Sequence, residues 1–97
     1  MEISYTNHLK LRLKIRKISE NYPKIIYENP ESQFFDNIEG AYISIKKLKY
    51  NNKVRNMMVA YEIKNKKIEI ITIHPISDEK IKNRILTGRW TKNEWKI

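Results

Sequence analysis

From Leu9 to Ile15 apolar and polar side chains alternate strictly, the pattern of a half-buried strand. The same stretch also suits a helix, because Leu9 and Leu13 would share one side and Leu11, Ile15 and Ile18 another. Leu, Lys and Arg are strong helix formers, and Thr6 or Asn7 stands where an N-cap belongs, so the stretch is read as a helix. A second short helix fits Ser19 to Tyr27, with Ser19 or Asn21 as cap and Pro23 tolerated in its first turn, before Asn29-Pro30 forces a stop. Residues 30 to 40 read as loop.

After Gly40 the texture changes. AYISIKKLKY, VRNMMVAYEI and KIEIITIHP are rich in Ile, Val, Tyr and Met and predict three strands. Asn51-Asn52 and Lys64 to Lys67 are tight polar turns, the first of a kind that accepts positive φ, so consecutive strands should pair antiparallel as a meander. Ile76 and Ile81 bracket Ser77 as a hydrophobic staple, Asp78 and Glu79 suit the first turn of a last helix, and Gly88 suits its end. The expected architecture is α+β: two N-terminal helices, a three- to four-stranded antiparallel meander sheet and a short C-terminal helix.

At 97 residues the chain builds one domain, 1–97, of at most two packed layers. With no Cys it has no disulfide staple and no thiolate metal site. Lys and Arg number 20 against 11 for Asp and Glu, and the net charge of +9 makes a polyanion the first candidate partner. The 15 Lys, 17 Ile and 10 Asn are also what an AT-rich coding sequence yields, so the five Arg and two His residues carry more weight than total charge. No apolar stretch is long enough to span a bilayer and the N-terminus lacks the core of a signal peptide, so the expected location is cytoplasmic. P-loop, Rossmann, nucleophile-elbow and zinc motifs are absent. No Asp, Glu and His residues cluster at metal-ligand spacing, which argues against a two-metal nuclease, and no cofactor is expected.

His8, Arg12 and Arg16 are spaced by four, so on a helix each is rotated about 40° from the last and the three form one cationic stripe. With Ile18 and Ser19 they make the opening HLKLRLKIRKIS, which resembles the H-x-x-x-R-x-x-x-R-x-I-S first helix of small RelE/ParE-like toxin relatives, the BrnT branch among them. The resemblance continues in element order, in the I-x-I-I-T-I run from Ile68 to Ile73 and in a C-terminal helix holding Arg84. Lys17 stands where the family often has Gly. The resemblance implies a RelE-like domain with helices on one face of the sheet. It also implies an endoribonuclease that needs no metal, acting as the toxin of a toxin–antitoxin pair. Its partners would be RNA, ribosome-associated mRNA included, and an acidic antitoxin.

The residues themselves are compatible with that chemistry. RNA cleavage by its own 2′-hydroxyl needs a base, an acid and cations for the developing charge, and His with Arg supplies all three. His8, Arg12, His74 and Arg84 are the catalytic candidates. Arg16, Arg55, Tyr61, Arg89 and Trp90 are the RNA-binding ones. Each has a structural alternative: an Arg stripe is more often a solvated face, Trp90 and Trp95 serve as well as a C-terminal lid on the core, and strand tyrosines usually pack across neighbours. By alternation His74 shares a face with Ile68, Ile70 and Thr72, where a half-buried structural imidazole is the commoner outcome. A non-catalytic nucleic-acid-binding or regulatory module on the same scaffold is the alternative function.

Overall fold

The computed structural model describes residues 2–93; Trp95 lies outside them. In chain order the elements are β1 (Glu2–Tyr5), α1 (Asn7–Arg16), α2 (Tyr22–Glu28), β2 (Ser32–Asp36), β3 (Ala41–Tyr50), β4 (Lys53–Lys64), β5 (Lys67–Pro75), α3 (Asp78–Leu86) and β6 (Trp90–Lys92). The strands form one six-stranded mixed sheet in the order β1-β5-β4-β3-β2-β6. This corrects the expected three- to four-stranded antiparallel meander. The meander is present as β3, β4 and β5, but β1 adds in parallel to β5, and β2 and β6 extend the other side antiparallel.

The local signals that succeeded are chemical. Thr6 caps α1, its hydroxyl accepting from the Leu9 N–H at 3.1 Å. Lys17 ends the helix in the left-handed region at φ 54°, and its N–H returns to the Leu13 and Lys14 carbonyls. A side chain is strained there, which explains why Gly suits the position better. Asn51 and Asn52, and then Asn65 and Lys66, all take positive φ, making two-residue turns whose twist matches the flanking strands. Ser77 caps α3 over the Lys80 N–H, and Gly88 takes φ +78° just beyond the helix. The missed strands lie where residues 30 to 40 read as loop and where four- and three-residue segments carry no periodicity.

The sheet has a different cover on each face. On one, Leu9 and Leu13 of α1, Ile18 of the α1–α2 connection and Ile26 of α2 lie on Met57, Val59, Tyr61, Ile68, Ile70 and Ile73. On the other, Phe34, Ile43, Ile45, Met58, Ile76 and Trp90 form a smaller core, with Ala60 and Ile81 against it. Between Ala60 and Tyr61 the β4–β5 register slips: Tyr61 faces Ile70 and Ala60 faces Thr72, so Ile71 is an extra residue. The Thr6 hydroxyl and N–H bind the Ile71 and Ile70 carbonyls there. The bulge turns Thr72 and His74 onto the face opposite Ile68 and Ile70, which overturns the alternation reading of His74. Among the described residues no helix is long and apolar enough to cross a membrane.

Candidate functional site

Helix α1 buries Leu9 and Leu13 and turns the rest outward. Leu11 and Ile15, 58% and 70% exposed, form an apolar ridge opposite the buried side. Beside it run His8, Arg12 and Arg16, and these five residues line a shallow cleft of about 190 Å³. Arg12 Nη2 lies 2.9 Å from His8 Nε2. A guanidinium can only donate, so His8 accepts as a neutral ring with its proton on Nδ1.

His74 is fixed differently. Its Nδ1–H donates to the Pro75 carbonyl at 2.9 Å, which leaves Nε2 as the open lone pair. Burial pushes its pKa below the usual histidine value. The Pro75 hydrogen bond opposes that, while the charges of Arg16, Arg12 and Lys80 reinforce it. His74 is therefore a neutral imidazole close enough to Arg16 and Arg12 of the α1 stripe to feel their charge. Arg12 and Arg16 make no ion pair among the described residues.

His74 also lines a hollow of about 150 Å³ on the second face, with Thr72, Arg84, Arg89 and Trp90 around it. Arg84 lies over the Trp90 ring, its guanidinium carbon 5.6 Å from the ring centre. The neighbouring Asp36, which sequence reading missed, organises the far wall. Its Oδ1 accepts from the Ile38 and Glu39 N–H groups at 2.9 Å each, and its Oδ2 from the Trp90 indole at 3.0 Å. Arg89 Nε donates to both oxygens at 3.1–3.2 Å. Burial alone would raise the Asp36 pKa. The Glu39 N–H, the Trp90 indole, the Ile38 N–H and the Arg89 charge outweigh it and hold the carboxyl below its ordinary range.

The charges of Arg12 and Arg16 thus act on His74, His8 is joined to Arg12 by a hydrogen bond, and Arg84 lines the hollow that His74 shares. Other candidates fall elsewhere. Tyr61 is 1% exposed, stacked on Tyr42 at 5.5 Å and edge-on to Tyr27 at 5.0 Å, so it belongs to the core and not to a substrate. Trp90 is 2% exposed and stacked on Phe34 at 5.3 Å, which makes it a lid on the second core with no face left for a base. Arg89 is held by Asp36 and, at 3.8 Å, by Glu39. Arg55 donates to the Tyr50 carbonyl and lines a separate hollow that does not include His74. The only sequence signal for Asp36 was an Asp four residues before Gly40, a turn marker rather than a site marker.

Among the described residues no three His, Asp or Glu side chains gather as a metal site. No family model, curated protein or solved structure matches the chain.

Proposed function

We propose that the chain binds RNA along the α1–β5 edge and cleaves it without a metal, as the toxin of a toxin–antitoxin pair silenced by an acidic partner. The observation that carries this reading is His74, an anchored neutral imidazole with an open Nε2 in the field of two arginines that carry no carboxylate partner among the described residues. In this scheme Nε2 takes the proton of a ribose 2′-hydroxyl and the freed oxygen attacks the adjacent phosphorus. Arg12 and Arg16 balance the charge of the phosphorane. The bond to the 5′-oxygen then breaks, leaving a 2′,3′-cyclic phosphate and a 5′-hydroxyl. His8, released when a phosphate draws Arg12 away from it, is the acid that supplies the proton to the leaving oxygen. The nucleophile belongs to the substrate, so the reaction needs only base, acid and cations. RNA and the acidic antitoxin are the partners, met in the cytoplasm.

Incubation of purified protein with cellular RNA or translating ribosomes in EDTA tests this directly. Cleavage with cyclic-phosphate ends is expected from the wild type, and a drop of at least 100-fold from His74→Ala or from Arg12→Ala with Arg16→Ala. Undiminished cleavage by these variants, or none by the wild type, overturns it. A second reading, a non-catalytic nucleic-acid-binding or regulatory module, is favoured by the His8–Arg12 hydrogen bond, which uses His8 as an acceptor and leaves no proton donor in place. It expects RNA binding that weakens steeply with salt and yields no new ends.

A further inference from the structure

We infer that the hollow beside His74 is a pocket for one pyrimidine base of a bound RNA strand, a specificity site that rests on the RNA reading above. Size is the first argument. At about 150 Å³ the hollow matches a cavity of about 150 Å³ known to hold benzene, and it falls below the roughly 300 Å³ at which drug-sized ligand pockets begin. A six-membered ring matches that volume more closely than a fused purine does.

Lining chemistry is the second. The floor is Ala41, Ile43, Met58 and Ala60, an apolar surface with two small side chains that suits the face of a flat ring. A lone phosphate is disfavoured there, because it would sit on that apolar floor with the carboxylates of Asp36 and Glu39 in the same wall. The polar groups are few and placed to one side. Arg84 makes no ion pair among the described residues, whereas Arg89 beside it is taken by Asp36 and Glu39. The Arg84 guanidinium is thus free to donate to the O2 carbonyl that both pyrimidines carry. The Thr72 hydroxyl donates or accepts, so it serves N3 of cytosine and N3–H of uracil alike. The pocket therefore selects pyrimidine over purine without choosing between the two.

Position is the third. His74 belongs both to the hollow and to the Arg12–Arg16 field, so a base seated in the hollow leaves its own ribose and phosphate at the edge where those cations lie.

NMR titration of the folded wild type with 3′-CMP, 3′-UMP, 3′-AMP, 3′-GMP and inorganic phosphate tests the pocket without relying on turnover. The readouts are the Trp90 indole N–H and the His74 ring. The two pyrimidine nucleotides are expected to shift both signals and to bind at least fivefold tighter than the purines, while phosphate leaves the indole unmoved. Ala60→Leu, which fills the floor, and Arg84→Gln should each abolish that preference with circular dichroism unchanged. Thr72→Val, which removes only the hydroxyl at nearly constant volume, should weaken binding of both pyrimidines with circular dichroism unchanged. Equal affinity for AMP, or an indole shift with phosphate alone, overturns the proposal. Pyrimidine preference without RNA cleavage upholds the pocket and removes the nuclease. RNA cleavage with no base preference does the reverse.

Discussion

The two faces of this sheet are made of similar residues and put to different uses. Under α1 and α2 ten buried side chains form a continuous core, with the Tyr61 hydroxyl and the buried Ser44 beside it among its polar groups. Burial pushes the Tyr61 hydroxyl above its ordinary value, against a smaller lowering effect of the neighbouring Ser44 hydroxyl, so it stays neutral and inert. Opposite, the single helix α3 buries none of its own residues fully, and the core beneath it is smaller. The gap it leaves holds His74, Arg84 and the Asp36 network. The face with two helices is closed over its core and offers a ligand only the outer side of α1, whereas the face with one helix keeps a hollow and charged groups to line it.

The sharpest way to break this contrast is to damage each face in turn. Tyr61→Ala should lower stability by about 3–5 kcal/mol, because a fully buried aromatic leaves a cavity that its Tyr27 and Tyr42 neighbours cannot fill. Urea unfolding followed by circular dichroism measures it. A loss below about 1 kcal/mol would mean that the first core does not depend on Tyr61.

On the other face, Asp36→Ala should lower stability by about 2–3 kcal/mol. It leaves the Trp90 indole and two backbone N–H groups without an acceptor, and frees an Arg89 that is already partly solvated. The indole fluorescence of Trp90 should change with it. A variant as stable as the wild type would mean that Phe34 and α3 hold Trp90 without the carboxylate.

These two residues also mark what could be read from the chain. Asn51-Asn52, the Ser77 cap and the four-residue spacing of Arg12 and Arg16 are local signals, and local chemistry decides them. The strand at Glu2–Tyr5 exists because β5 offers it an edge, and Ser32–Asp36 because β3 does. Neither cause lies within the segment itself. Alternation predicts the wrong face for His74, because one extra residue at Ile71 reverses everything after it. The helix stripe was legible; the face on which His74 lies depends on a bulge that no periodicity announces.

A smaller effect separates binding from stability. Arg12→Ala with Arg16→Ala should leave unfolding within about 0.5 kcal/mol of the wild type, since the guanidinium of neither residue touches the core or a carboxylate. RNA affinity should nevertheless fall about 10-fold or more, and the slope of log affinity against log salt should shrink by about 1 for each phosphate that is no longer neutralised. Fluorescence anisotropy across a salt series gives both quantities. An unchanged slope would show that any bound RNA lies elsewhere.

The smallest effect concerns pH. His74 has a folded pKa below its ordinary 6.5, because burial and then the Arg16, Arg12 and Lys80 charges disfavour its cation against the pull of Pro75. Between 6.5 and the lower folded value the unfolded chain binds a proton that the folded chain refuses, so stability falls as pH drops through that window. The sign is opposite to that of a histidine held by a carboxylate. Asp36 acts in a different range: its stabilisation is present above 3.8 and is lost only as pH falls through its lower folded value. Urea midpoints at pH 7.5 and pH 5 should therefore differ in the wild type, and the difference should shrink in His74→Gln, which keeps a side chain of similar reach but cannot take up a proton. Ile70→Val, a lesion in the first core, should lower both midpoints by the same amount, because it removes one buried methylene and touches no charge. If His74→Gln keeps the full difference, the proton uptake belongs to another group and the open face is not what makes this fold sensitive to mild acid.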